Sequence, residues 1–388
     1  MKRQPLCVAI DARVLGHRGV GRYLANLVRA LAQRKDDARY LLYLGPRSIK
    51  ELVPKDPRFQ AITLGQVHPA LAEQWIIPRA AAKAGAQVVH FPDNSGPLRS
   101  RVPVVLSLLD TMWLRPLRQA VPHPTWRQGI QDAYRKFVCP RAAVTATRVI
   151  TISKHAAECL RRDVAVPDAK LRLTVLGSDP AFSKRLPSAE AERRRKALGL
   201  TQPYVLCSGA SDSRKNIDRL IQAFAIARKR DARLKGAVLV VTSLRPGEAE
   251  TTTYGATALA AGVADALRYM PYISDADMAA LYQGALCFAF PSLWEGFGLP
   301  VLEAYSMGCP LLAANATALP ETAGKGAVYA DPLDVEDLAR GLSEACAPKG
   351  RAVRAAAAKR QLAHFTWAKA AATHFAVYCE AAGLSRGH

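Results

Sequence analysis

No run of about 18 consecutive apolar residues occurs in this 388-residue chain, and its most apolar stretch, Ala285 to Leu302, is broken by Glu295. That absence excludes a membrane-spanning helix. The start, Met1-Lys2-Arg3-Gln4-Pro5, carries the charge of a signal n-region, yet the apolar residues Leu6 to Ile10 end at Asp11, too soon for an h-region. The expectation is a cytoplasmic chain that neither exports itself nor spans a bilayer. Eight cysteines (7, 139, 159, 207, 287, 309, 346 and 379) include no CxxC pair and sit mostly in apolar segments. They read as reduced core thiols, against a disulfide or zinc framework. RRM, KH, zinc-finger and helix-turn-helix signatures are also missing, which excludes nucleic acid as the partner of a basic protein. There is no short internal repeat, and low complexity is confined to Ala355 to Ala358.

Acidic residues are scarce: 32 Asp and Glu face 54 Lys and Arg, leaving a net charge of +22. Such an excess points to anionic partners or an anionic surface. Residues 1–180 hold 29 of the bases and 13 of the acids, so the first half carries most of it. Arg outnumbers Lys 37 to 17 in an Ala-rich chain, a pattern that GC-rich coding also produces. Half of the residues are apolar, which excludes disorder, and the length suits two or three domains.

Short apolar runs alternate with helical patterns almost from end to end, the signature of parallel sheets covered by helices. Strands are expected at Leu6 to Ile10, Tyr40 to Leu44, Val88 to Phe91, Val104 to Leu108, Val149 to Ile152 and Leu173 to Leu176. The pattern restarts at Tyr204 to Cys207 and continues at Ala237 to Thr242, Leu267 to Met270, Cys287 to Phe290 and Pro310 to Ala313. The fold class is α/β, with two facing Rossmann-like domains, 1–182 and 183–364, and ligands in the cleft beyond the strands' carboxyl ends.

Three loops carry the chemistry. After the first strand, Gly19 and Gly21 allow close backbone approach where a helix offers its amides to a phosphate. The spacing falls short of GxGxxG, which weakens a dinucleotide dehydrogenase; a plain strand-to-helix turn is the alternative. Ser208-Gly209-Ala210-Ser211-Asp212-Ser213-Arg214-Lys215-Asn216 places adjacent cations ahead of a helix, where the dipole disfavours them unless an anion such as a diphosphate is bound. A solvated helix start is the other reading. Pro291 to Ala304 joins a strand to a Gly-rich bend and a helix, with Glu295 in the bend and Glu303 one turn in. The Gly298 and Leu299 amides would face a ligand, and both carboxylates could accept from paired sugar hydroxyls, unless Glu295 merely caps and Glu303 is solvated.

These segments resemble the nucleotide-sugar-dependent glycosyltransferases of family 4, which have the GT-B fold, over nearly the whole chain. The resemblance rests on Gly19-Val20-Gly21-Arg22-Tyr23, Thr151-Ile152-Ser153-Lys154-His155, Val175 through Phe182, Arg214-Lys215-Asn216, Tyr272 to Tyr282, and Glu295 followed by seven residues and Glu303. It implies that Arg214 and Lys215 neutralise the donor diphosphate and that Glu303 holds ribose hydroxyls. Glu295 would hold hydroxyls of the transferred sugar, the Phe297, Gly298 and Leu299 amides would touch phosphate or sugar, and Tyr272 and Ile273 would lie near the base. Gly209 joins the same donor loop. Residues 365–388 would cross back onto the first domain. The family retains anomeric configuration, with the leaving phosphate taking the acceptor proton, so neither a metal nor a cofactor is expected. Where the family commonly has His-Asp, this chain has Leu109-Asp110. Asp110, His90 or a backbone carbonyl must then serve, or the donor differs, or transfer is impaired.

The resemblance implies a retaining hexosyltransferase, with GDP-mannose the first guess for donor and a lipid-linked or saccharide acceptor of surface polysaccharide or lipopolysaccharide synthesis. A sugar-nucleotide epimerase and a donor-binding but inactive subunit are the alternatives. Residues 99–172 hold 14 bases against five acids among Trp113, Trp126, Tyr134 and Phe137, which suits peripheral docking on an anionic membrane, expected on the inner face of the cytoplasmic membrane.

Overall fold

The buried apolar runs form the centres of two all-parallel sheets in the computed structural model, which describes residues 5–17, 19–115, 125–208, 212–244 and 252–384. The first sheet comprises β1 (Cys7–Asp11), β2 (Arg39–Leu44), β3 (Phe59–Thr63), β4 (Val88–Phe91), β5 (Val104–Ser107), β6 (Arg148–Thr151) and β7 (Leu171–Leu173), ordered β3-β2-β1-β4-β5-β6-β7. The second comprises β8 (Tyr204–Ser208), β9 (Val238–Leu244), β10 (Leu267–Pro271), β11 (Cys287–Phe290), β12 (Leu311–Ala314) and β13 (Ala327–Ala330), ordered β10-β9-β8-β11-β12-β13. Central strands such as β1, β4 and β11 are buried throughout, as parallel strands covered on both faces must be. Strand order reverses between β1 and β4 and between β8 and β11, so the loops leaving those strands part and open a site.

Helical periodicity gives each sheet its cover. Val20–Ala32 buries Tyr23, Leu24, Leu27, Val28 and Leu31, while Ile217–Arg230 buries Ile217, Leu220, Ile221 and Phe224. β3 and β13 were not apparent as apolar runs. β3 is an edge strand with only Phe59 fully buried, and β13 alternates half-buried and buried residues. All eight cysteines are free thiols and seven are buried.

The chain separates into two compact units, one running to Arg115 with Thr125–Leu176 and the segment from Thr366, the other containing Gly177–Phe365. The expected boundary after residue 182 is therefore corrected to Leu176. Phe182 is buried in the second unit's core, edge-on to Tyr282 at 5.9 Å, and Ser306 donates to the Ser178 hydroxyl at 3.0 Å.

In the first unit a buried polar chain ties the Trp367–Ala381 helix to the sheet. His374 Nδ1 lies 2.7 Å from the Ala370 carbonyl and so donates, leaving Nε2 to accept from Tyr23 at 2.6 Å. The Tyr23 oxygen then accepts from Ser107 (2.9 Å), Ser107 from His90 Nε2 (2.8 Å), and His90 Nδ1 from Tyr378 (2.8 Å). Glu380 on the same helix accepts from Arg148 and Arg172 at 3.2 and 2.9 Å.

Both imidazoles are fully buried, and burial holds His374 down to about 4 and His90 well below the usual histidine range. The unfolded chain therefore binds more protons than the folded one between pH 6.5 and 4, and stability falls as pH drops through that window. His374 alone removes about 3 kcal/mol by pH 4. Asp93, raised to about 6 by burial, works in the opposite sense and offsets part of the loss. Thermal melts from pH 7.5 to 4.5 should give a steeper decline for the wild type than for His374→Asn, although that variant starts lower; parallel slopes would contradict this assignment.

Candidate active site

The second unit's switch point is flanked by the loops leaving β8 and β11. Asp212 caps the short turn Ser213–Lys215, accepting from the Arg214 amide at 3.0 Å, and its carboxylate grips the Arg214 guanidinium through Nε (2.9 and 2.8 Å) and Nη2. Arg214 is thereby held in one orientation. The next residue crosses to the other loop: Lys215 Nζ donates to Glu295 Oε1 at 2.7 Å and lies 4.9 Å from the Phe290 ring centroid. Both side chains are largely shielded, 19% and 14% exposed, so the pair is stronger than a surface contact. Asn216 adopts the left-handed conformation (φ 59°), which Asn tolerates, and its buried amide donates to the carbonyls of Pro291 (3.2 Å) and Pro332 (2.6 Å). The Leu293 amide donates to the Arg214 carbonyl at 2.7 Å. Three successive residues thus rivet the cationic loop to the carboxylate loop.

The Glu295 amide donates to Thr317 Oγ1 at 3.1 Å, anchoring the bend to the loop after β12. Gly298 turns the chain at φ +93°, a left-handed conformation that favours glycine, and a Cβ there would press on Leu319 Cδ2 at 2.7 Å. The helix Leu299–Ser306 then starts with Pro300 in its first turn. The Gly298 and Leu299 amides precede the first intrahelical bonds and remain suited to an anion. Phe297 is buried edge-on to Phe365 at 5.3 Å, with its carbonyl accepting from Thr322 at 2.6 Å, so its side chain belongs to the core. Glu303 is buried rather than solvated and accepts from the Tyr282 hydroxyl at 3.3 Å. Tyr272 is exposed and Ile273 half-buried on the segment leaving β10. Gly209 lies outside the described residues. Beside the bend, a depression of about 450 Å³ is lined by Leu293, Asn315, Ala316, Asp331, Pro332 and Leu333.

In the first unit the expected residues divide. Gly19 stands exposed at the N-terminus of its helix, but a Cβ on Gly21 would lie 2.3 Å from the Val14 carbonyl. Gly21 accommodates the preceding loop, which by itself accounts for a glycine at that position. His90 is sealed in the chain that ends at Tyr378, which removes it as a substitute for the family's His. Asp110 accepts from the Met112 amide at 3.0 Å, and its carbonyl accepts from Trp113 Nε1 at 3.1 Å, so it heads the Met112–Leu114 turn. Leu109 is buried, its amide donating to Asn94 Oδ1 at 2.7 Å.

Sequence reasoning passed over Asp11, at the end of β1, and Glu73, on the helical segment Ala72–Ile76. Asp11 takes both Nε and Nη2 of Arg13, at 2.8 and 2.6 Å. Glu73 accepts from Ser95 (2.8 Å), Tyr134 (2.9 Å) and Gln74 (2.9 Å), and burial raises its pKa. Among the described residues no cluster of three His, Cys, Asp or Glu has the geometry to hold a metal ion.

Residues 188–361 match the family described as Glycosyl transferases group 1, and residues 17–182 match Glycosyltransferase Family 4. The chain is a glycosyltransferase, with a family 4 domain followed by a group 1 domain. A relative from Escherichia coli, O-antigen chain mannosyltransferase B, is 28% identical over 362 residues, covering 90% of this chain and 92% of its own. Sucrose-phosphate synthase from Thermosynechococcus elongatus superposes with a TM-score of 0.73 at 20% identity, covering 97% of this glycosyltransferase and 99% of the synthase. Anabaena HepE, solved with UDP and glucose, gives 0.69 at 16% identity over 97% and 100%. Both likenesses show the shared GT-B fold of two Rossmann-like domains.

Proposed function

We propose that this glycosyltransferase moves mannose from GDP-mannose, with retention of configuration, to a lipid-linked or saccharide acceptor in bacterial surface polysaccharide synthesis, working peripherally on the inner face of the cytoplasmic membrane. The observation that carries the donor site is the Lys215–Glu295 contact beside an Arg214 braced by Asp212, at the carboxyl ends of the strands where order reverses. A diphosphate draws Lys215 away from Glu295, and the freed carboxylate accepts hydroxyls of the sugar. Arg214, Lys215 and the Gly298 and Leu299 amides stabilise the charge that builds on the leaving phosphate, which takes the acceptor's proton. Glu303 holds ribose hydroxyls. Mannose is supported by the E. coli relative, which is named as an O-antigen chain mannosyltransferase. No helix among the described residues is long and apolar enough to cross a membrane, which fits a peripheral location.

A thermal-shift screen across GDP-, UDP- and dTDP-sugars tests the donor, because a ligand of the folded state raises the melting temperature. GDP-mannose should give the largest rise; no rise with any nucleotide sugar would refute the donor site. One observation favours a second reading, a donor-binding subunit without transfer activity: Leu109 offers no polar side chain where the family's His approaches the sugar. Calorimetry showing nucleotide-sugar binding with neither hydrolysis nor transfer would select it.

A further inference from the structure

The helix Trp126–Thr145 of the first unit is twenty residues long, yet it buries only Val138, Cys139, Ala142 and Ala143. Its first three turns bury no side chain, although a Thr125–Gln128 capping box fixes where it starts. A helix half out of the core would ordinarily present polar residues there. Here it presents large apolar ones: Trp126 is 71% exposed, Ile130 61%, Phe137 54% and Val144 41%. At 3.6 residues per turn these four fall within about 40° of one another, a single ridge along roughly 30 Å of helix. Arg127 lies over the Trp126 ring at 5.2 Å, and Arg141 over the Phe137 ring at 3.8 Å.

The same pairing recurs on the neighbouring segment, to which Tyr134 connects through its bond to Glu73. There Trp75, 53% exposed, lies under Arg79 at 4.7 Å. Beyond the C-terminal end of the ridge, a groove of about 430 Å³ is lined by Arg99, Ser100 and Arg101 together with Thr145 and Thr147. Exposed aromatics with guanidinium groups at their rings match the boundary of a lipid bilayer, where rings sit among acyl carbons and cations meet phosphates. Apolar anchors in line with a cationic groove match an anionic headgroup layer.

The geometry points to the Trp126–Thr145 ridge as a docking surface for anionic phospholipid, with Trp126, Ile130 and Phe137 entering the interface and Arg127, Arg141, Arg99 and Arg101 meeting headgroup phosphates. This deepens the peripheral-membrane reading above by naming the surface. The occupant is fixed by charge complementarity: the helix carries Arg127, Arg135, Lys136 and Arg141 against Asp132 alone, and Lys136 already pairs with that aspartate at 2.6 Å.

The full chain, without donor or acceptor, is floated with vesicles of phosphatidylcholine alone or with 30 mol% phosphatidylglycerol, at low and high salt. Wild type should float with the anionic vesicles and lose most of that binding at high salt. Trp126→Glu/Phe137→Glu should reduce the floated fraction at least tenfold, while melting temperature and nucleotide-sugar binding stay at wild-type values. Arg99→Gln/Arg101→Gln should weaken binding to anionic vesicles only. Equal flotation with neutral vesicles, or unchanged flotation of both variants, overturns the assignment. So does a wild-type dimer in light scattering that Trp126→Glu/Phe137→Glu dissociates, which would make the ridge a contact between copies of the chain. Because the measurement needs no transfer, a failure of the glycosyltransferase reading shows separately, as absent nucleotide-sugar binding.

Discussion

Lys215→Ala should lower kcat/KM for transfer by about a thousandfold or more with folding intact, because the substitution removes a cation and strands its partner. Lys215 neutralises Glu295 across 2.7 Å in a shielded site. Without the lysine the uncompensated carboxylate faces an incoming diphosphate, so donor affinity falls for two reasons, lost attraction and added repulsion. The two are separable. Lys215→Ala/Glu295→Gln should bind nucleotide sugar more tightly than Lys215→Ala alone, because the repulsion is gone, yet it should transfer no faster, because the leaving phosphate still lacks its cation. Glu295→Gln alone leaves Lys215 for the phosphate, so its defect should appear with the sugar and spare GDP. Calorimetry on the four members of this cycle, with GDP and with GDP-mannose, supplies the coupling energy. Wild-type turnover in Lys215→Ala, or additive binding effects, would remove Lys215 from the donor site.

The residues that declared themselves in the sequence are those whose chemistry is local. Arg214 and Lys215 are adjacent, and Glu295 sits in a glycine-rich bend between a buried strand and a helix, so one window of sequence contains each motif. Strands such as β1, β8 and β11 were equally plain, since a parallel strand covered on both faces must be apolar along its length. What escaped notice depends on distance along the chain. The tether from Asn216 to Pro332 spans 116 residues, and the bond from His90 to Tyr378 spans 288. A polar residue in an apolar strand, such as His90, looks alike whether it faces a ligand or a buried tyrosine. Gly21 is ambiguous for a related reason, because a glycine admits close approach by any atom, and the Val14 carbonyl is one atom that uses the space. Asp11 ends β1 and Asp93 follows β4, but their nearness becomes visible only once strand order shows those two strands to be neighbours.

Asn216 is the position where stability and activity should part most clearly. Its amide is the link between the cationic loop and the ends of β11 and β13, and it follows directly on Lys215, which reaches Glu295. Asn216→Ala deprives two buried carbonyls of their donor and puts a Cβ residue without local polar compensation at φ 59°. The expected cost is about 3 kcal/mol, lowering the melting temperature by roughly 6–12 °C for a unit of this size. Asn216→Gly removes the same hydrogen bonds but adopts the backbone conformation freely, so it should recover about 1 kcal/mol relative to alanine. Activity should not recover with it. If the side-chain rivet positions Lys215, both variants lose transfer by about a hundredfold, chiefly in kcat, while GDP binding changes little, since a loose loop still presents its charge but not its geometry. Asn216→Asp is the stringent control: it keeps the shape and the left-handed preference but offers acceptors to two carbonyls that need donors. Asparagine's donor chemistry would be dispensable if aspartate retained both the melting temperature and kcat, and the rivet would then play no part in catalysis.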